Sequence, residues 1–412
     1  MEKVRIGVIG LGRGLDMIRE LYKMEDAEVR VICDKDPARI DRAKDLLKDT
    51  PIETADTTVS TDELFAREDV DAVIIATSWN DHTNLAVQAM KAGKFVGLEI
   101  GPLADVEQCY ELIRAEEETG SRCMVLENCC YGRYEMKALN MIKKGLFGEV
   151  VHVGGGYQHA CKDMGIYPEQ GGERGFHYLK RDFHFYPTHD LGPLMTYLNI
   201  NHGNRMLYLS SFSSKSASLN EHAAEKLTEN DAFYGKRFKN GDYITTLIKC
   251  AGGETISLQL NTTLPRPYSR MNSVSGTKGM WNEDTGYYFE GKTDEKKKWD
   301  AKEEYEEYEH PLWKAFQKTG ITGSHGGMDY IMLRAFVRSI IEHRPFPIDI
   351  YDGATLLSIS ALSEESIALG SRPVYIPDFT KGRWVNREEP DPTIFTLFGD
   401  INDELYKDLT KI

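Results

Sequence analysis

The stretch VRIGVIGLGRGLDM, residues 4 to 17, restricts the fold more than any other part of the chain. A short strand over residues 4 to 9 runs into Gly10, Gly12 and Gly14, and then into a helical pattern that lasts through Met24. A strand that ends on closely spaced glycines and opens a helix lets a backbone approach a pyrophosphate at a helix N-terminus. In the usual G-x-G-x-x-G spacing Gly10 and Gly12 take the first two places. The third falls at Leu15, one residue after Gly14, so altered packing is expected at the helix start. Arg13 stands inside this loop and is assigned to the cofactor with it.

A second strand, EVRVICD, ends in Asp34, about 20 residues beyond the glycines. A carboxylate there accepts both ribose hydroxyls of NAD and repels the 2′-phosphate of NADP. The competing role for Asp34 is to cap the helix PARIDRAKDLL, which Pro37 opens. DAVIIAT, NDHTNLAVQAMKAGK and FVGLEI continue as strand, helix and strand. Apolar strands alternating with helices indicate a parallel sheet covered on both faces. Residues 1–125 are therefore predicted to form a Rossmann doubly wound domain. Thr77, Trp79 and His82, in ATSWNDH at the C-terminal end of a strand, are expected beside the nicotinamide, with helix capping or surface exposure the alternative for His82.

Beyond residue 125 the pattern changes. EVVHVGGGYQHA, RMLYLSSFSS, DYITTLIKCA and ETISLQLNTTL are longer and more alternating, as in an antiparallel sheet with one face under helices. Helices are expected near 135–145, 190–199 and 327–343, giving residues 126–412 an α+β organisation. The charged stretch at 290–310 reads as a solvated loop or surface helix.

A chain of 412 residues exceeds one typical core, in keeping with two domains. Its net charge of −15 disfavours nucleic acid as a partner and favours a small molecule. No run approaches the roughly 20 apolar residues that span a bilayer, so no membrane partner is expected. A cytoplasmic location is expected, or a periplasmic one where an export signal has been removed. The seven cysteines form no metal-ligand spacing; their odd count and the adjacent pair Cys129 and Cys130 suggest reduced thiols, and no metal is expected.

A dinucleotide fold, then LEIGP at a strand end, then an antiparallel domain: in this order the chain resembles the Gfo/Idh/MocA oxidoreductases. Within them VLENCCYGR (125–133), YPTHDLGPLMTYLNINHGNRM (186–206), LPRPYSRMNSVSGTKG (264–279), HGGMDYIMLRAFV (325–337) and PVYIPDFTKGRW resemble the NAD-dependent glycosidases of glycoside hydrolase family 109, whose described members include α-N-acetylgalactosaminidases. The resemblance implies NAD as cofactor and a small glycoside or glycan terminus as substrate. It implies cleavage by transient oxidation at carbon 3, elimination, water addition and re-reduction, rather than by the two carboxylates of ordinary glycosidases. A homo-oligomer is expected by analogy alone.

By the same resemblance, His189 serves the carbon 3 hydroxyl, Tyr186 is its acid/base or orienting neighbour, and Tyr157 moves the carbon 2 proton. Arg174 matches a substrate-binding arginine, and His177 and Arg181 follow it in ERGFHYLKR. Glu127 and Asn128 fall where the family places substrate and cofactor contacts. Two departures stand out. Glu99 begins Glu-Ile-Gly-Pro in place of the superfamily's Glu-Lys-Pro; the glycosidases also depart from that lysine. RDFHF, residues 181–185, replaces the family's RNGNL, which predicts a pocket of different size and polarity and another sugar. Two alternatives stay open: a sugar oxidoreductase that forms a 3-keto glycoside without hydrolysis, and a non-catalytic sugar or dinucleotide sensor.

Overall fold

The computed structural model describes residues 3–294, 296, 298–388 and 390–407. Its first sheet comprises β1 (Val4–Ile9), β2 (Ala27–Cys33), β3 (Asp56–Thr58), β4 (Ala72–Ile75), β5 (Phe95–Leu98) and β6 (Cys123–Val125). They pair in parallel in the order β3-β2-β1-β4-β5-β6. That order reverses between β1 and β4, and the crevice beyond the carboxyl ends there is where such sheets bind ligands. Gly10 occupies this position with φ 92°, and a Cβ on it would lie 2.5 Å from the Ala76 carbonyl oxygen, so only glycine makes the turn. The helix Gly14–Leu21 starts one residue early for the usual spacing. Its packing is nevertheless close, because a Cβ on Gly14 would meet Val8 at 3.0 Å: Gly14 does the work of the missing third glycine.

The second sheet has β7 (Val150–Gln158), β8 (Met206–Ser213), β9 (Ile244–Cys250), β10 (Thr255–Asn261), β11 (Ser273–Gly276), β12 (Gly279–Asn282), β13 (Gly286–Phe289) and β14 (Val374–Tyr375). Its order is β13-β12-β11-β7-β10-β9-β8-β14, antiparallel except where β7 and β10 pair in parallel. Alternation along β9 and β10 turns Ile248, Ile256 and Leu258 into the core. The expected helices are observed as Arg133–Lys143, Thr188–Tyr197 and Met328–Ile341. Tyr208, Phe212, Leu247 and Tyr375 are exposed on the sheet. In the charged stretch most described residues are exposed, but Asp300 and Glu309 are buried, and residues 295 and 297 lie outside the described residues.

Packing does not follow a cut after residue 125. Phe336, Ala354 and Leu357 share the core of the first sheet, while Leu356 and Ile359 enter the core of the second. The helix Ile350–Ala368 thus lies between both, buried on nearly all sides, and no amphipathic stripe marks it in the sequence. Its serines resolve the cost of burying hydroxyls. Ser360, Ser363 and Ser366 each accept a backbone N–H from elsewhere, from Leu103 at 3.1 Å, His184 at 2.9 Å and Ser211 at 2.9 Å, and donate to backbone carbonyls of Leu357, Ser360 and Arg372. One helix therefore satisfies loop and strand backbone from both parts of the molecule. Among the described residues no helix is long and apolar enough to cross a membrane.

Candidate active site

A continuous cavity of about 1180 Å³ runs from the glycine loop of the first sheet to the start of β7's following segment and the helix Thr188–Tyr197. At one end lie Gly10, Gly12, Arg13 and Asp34. Asp34 accepts the Leu11 N–H at 2.8 Å on one oxygen and the Asp36 N–H at 3.0 Å on the other, which fixes its carboxylate and leaves lone pairs for two hydroxyls. The cap of the helix Pro37–Leu47 is Asp36, not Asp34. Lys35, Arg39 and Arg42 border the same end.

Farther along, Thr77, Trp79, Glu99 and Asn128 line the wall. Burial pushes the Glu99 carboxyl up to about 7 against the pull of Arg13, and its Oε2 has no hydrogen-bond partner. A buried, orphaned carboxyl oxygen beside a glycine turn fits a ligand hydroxyl or amide, so the residues present suit a dinucleotide. Arg13 donates to Asp329 at 2.7 and 2.8 Å, and Asn128 donates to the same carboxylate at 2.6 Å. Although burial opposes its charge, hydrogen bonds from His325 and Arg13 hold Asp329 well below the usual carboxylate range. The sequence reading missed this anchor, although HGGMD was among its matched stretches.

The other end gathers Tyr157, Arg174, Tyr186 and His189. The Tyr186 ring lies 4.6 Å from Tyr157 and 5.0 Å from His189, centroid to centroid. His189 Nδ1 is 2.8 Å from Glu127 Oε1, which also accepts the Cys129 N–H at 2.9 Å. Against the effect of burial, the neighbouring His189 imidazole holds Glu127 below the usual carboxylate range. An ionised carboxylate only accepts, so Nδ1 carries the proton and Nε2 is left as the basic nitrogen. Gly192 makes this contact possible: a Cβ there would come within 2.7 Å of Glu127 Cγ. The donor atoms of Glu127, Cys129 and His189 lie within 4.8 Å of one another, and burial raises the Cys129 thiol above its ordinary value.

Arg174 is 5% exposed, and among the described residues no carboxylate pairs with it. Its guanidinium lies 5.4 Å from the Tyr186 ring, 5.6 Å from Trp79 and 5.1 Å from Phe185, with Cys161 Sγ at 3.9 Å. Burial raises Tyr157 and Tyr186 above the ordinary phenol value, and Arg174 pulls both the other way. Tyr268, 5.3 Å edge-on from His159 and 6.4 Å from Tyr157, extends the aromatic row toward solvent. It lies in the stretch LPRPYSR, where its role had not been assigned.

Four assigned residues are not part of the cavity wall. Glu127 stands behind His189 and positions it. His82 is buried, donates from Nε2 to the Thr77 carbonyl at 3.2 Å, and is pushed by burial down to about 4, so it braces the turn that carries Thr77. His177, also pushed by burial down to about 4, sits 5.5 Å from the Trp79 ring and supports it. Arg181 is committed to Glu364 at 2.6 Å and to the Leu103 carbonyl at 3.0 Å. The expectation for RDFHF is corrected in the same way. Phe183, His184 and Phe185 are fully buried and Asp182 accepts from Ser213 and the Gly241 N–H, so none of them lines the pocket. Phe185 and Phe183 fill space behind the wall because large apolar rings are most stable there.

Residues 4–127 match the oxidoreductase family with an NAD-binding Rossmann fold, and residues 131–386 match the C-terminal domain of glycosyl hydrolase 109. A glycosyl hydrolase family 109 protein of Solibacter usitatus is 39% identical over 397 residues, spanning 93% of this chain and 90% of that one. An alpha-N-acetylgalactosaminidase of Tannerella forsythia is 37% identical over 413 residues, spanning 93% and 88%. Among solved structures, an NAD binding oxidoreductase from Klebsiella pneumoniae aligns with TM-score 0.69 at 18% identity, over 91% of this chain and 99% of that one. That likeness shows the fold. With both halves matched and the relatives aligned nearly end to end, the chain belongs to glycosyl hydrolase family 109, a glycoside hydrolase built on an NAD-binding oxidoreductase fold.

Proposed function

We propose that this hydrolase releases a terminal sugar by transient oxidation at carbon 3, with NAD as resident cofactor and an α-N-acetylgalactosaminide as its substrate. Arg174 carries the reading: a guanidinium buried among tyrosines with no carboxylate partner is a fixed positive charge for an anion that develops during reaction. The sugar is supported by relatives named alpha-N-acetylgalactosaminidase, and RDFHF, lying behind the wall, no longer argues against it. NAD over NADP is supported by Asp34, whose fixed carboxylate repels a 2′-phosphate.

A bound nicotinamide supplies a reversible hydride acceptor, so that the carbon 3 hydroxyl becomes a ketone and is restored at the end. His189 Nε2 takes the hydroxyl proton and later returns it, while Glu127 holds the ring and balances its charge. Beside a ketone the carbon 2 hydrogen is acidic, and Tyr157 is assigned to take it, with the Arg174 charge offsetting part of the burial that opposes ionising its phenol. The electron pair released at carbon 2 expels the aglycone from carbon 1. Tyr186, kept a phenol by burial, donates a hydrogen bond to the carbon 3 oxygen as charge builds there. Water adds at carbon 1, the proton it loses balancing the one the departing aglycone oxygen gains, and Tyr157, once exchanged with solvent, protonates carbon 2. The exposed sheet residues Tyr208, Phe212, Leu247 and Tyr375 are the face we assign to a homo-oligomer, which sedimentation of a Tyr375→Arg variant would test.

The test is hydrolysis of a panel of nitrophenyl glycosides in deuterium oxide. Nitrophenol release with deuterium at carbon 2 of the freed sugar and no net NADH is expected. Stoichiometric NADH without nitrophenol would overturn the reading.

A further inference from the structure

His325 lines the cavity, and the proposed chemistry has no use for it. It has φ 48°, a left-handed conformation that a non-glycine residue rarely adopts, immediately before the helix Met328–Ile341. Its turn is fastened to the helix that follows the glycine loop and to a residue just past its end: the Ser324 N–H donates to Glu20 at 2.9 Å, and Lys23 donates to the Thr322 carbonyl at 2.8 Å. Asp329 holds His325 Nδ1 at 2.8 Å and Arg13 at 2.7 Å with the same oxygen. The imidazole is half exposed into the cavity that Gly12 and Arg13 also border. With Nδ1 committed to Asp329, only Nε2 is left to meet a ligand. Strained backbone tied down from both sides is a feature of ligand clamps.

We propose that His325 closes the cofactor site from the C-terminal half of the chain, donating from Nε2 to the diphosphate of the bound dinucleotide. The inference rests on the dinucleotide part of the reading above and on none of the sugar chemistry. A contact from across the cavity slows the escape of a bound dinucleotide. The groups facing His325 are Asp329, Arg13 and Asp16. The Asp329 hydrogen bond raises His325 above its ordinary value, and the imidazolium form alone can donate from both nitrogens. The diphosphate contact therefore persists above the usual histidine range and weakens as pH rises through the raised value.

The experiment measures binding of NADH by fluorescence, and of ADP and adenosine by calorimetry, to the full chain and to His325→Ala and His325→Asn. Asparagine tolerates the left-handed backbone, so that variant separates lost contact from lost fold. NADH and ADP affinity are expected to fall about tenfold in both variants, with adenosine unchanged. NADH affinity of the wild type is expected to decline as pH rises through the raised His325 value, and the variants to be flatter. Unchanged ADP affinity, or equal losses for ADP and adenosine, would overturn the assignment. Absence of any NADH binding would overturn it together with the dinucleotide reading. Tight NADH binding with the expected losses but no glycoside cleavage would leave it standing while the glycosidase mechanism falls.

Discussion

Glu127 Oε1 lies 2.8 Å from His189 Nδ1, and this contact decides which nitrogen of the imidazole is basic. Replacing the carboxylate by an amide of the same shape offers an N–H in its place and favours the other tautomer. Glu127→Gln should lower kcat/KM by about 10²- to 10⁴-fold with the fold intact, as steady-state kinetics and circular dichroism would show. Wild-type rates would remove Glu127 from its positioning role.

Arg174→Met should separate stability from activity. An isolated buried charge costs stability, so its loss should leave the thermal midpoint unchanged or higher. Cleavage should fall by about 10²- to 10³-fold, with deuterium uptake at carbon 2 slowed more than oxidation at carbon 3. Equal slowing of both steps would place the charge elsewhere in the reaction.

Glu99 gives a pH prediction with a definite sign. Its folded value, pushed by burial to about 7, lies above the unfolded value near 4.5, so the folded state binds the extra proton between the two. Stability contributed by this group is complete below about 4.5 and is lost as pH rises toward 7. Glu99→Gln should therefore stabilise the cofactor-free protein above pH 7 by up to about 3 kcal/mol in urea titrations, and weaken NADH binding. A variant less stable at about pH 8 would contradict the assignment.

Asp34→Ser should narrow the preference for NADH over NADPH, because it removes the repulsion while Lys35, Arg39 and Arg42 stay at that end of the cavity. Fluorescence titration with both nucleotides checks it; an unchanged ratio would mean that the carboxylate does not discriminate.

Ser363→Ala removes the acceptor for the buried His184 N–H without adding bulk to the core. A stability loss of about 1 to 3 kcal/mol in chemical denaturation is expected. A smaller loss would mean that the backbone finds another partner.

The parallel sheet, its glycine turn, Asp34 and the cluster of His189, Tyr186, Tyr157 and Arg174 around one cavity were legible because their signals are local or are carried by long ordered motifs. The helix Ile350–Ala368 was not, since its serines have no reason to be buried until loops and strands from both sheets present N–H groups to them. Strands β11 to β13 are too short to show a period.

The chain order alone determined which residue types stand at strand ends and helix entrances, because backbone conformation and the reach of the glycine turn depend on near neighbours. Only the tertiary structure decided which way each side chain spends its polar groups. Folding brings Glu127, just beyond β6, to His189, and Asp329 from more than 300 positions away to Arg13. It turns Arg181 and RDFHF into the wall's support rather than its surface. Burial, and the partners that burial demands, are properties of the assembled molecule and are written in no single stretch of its sequence.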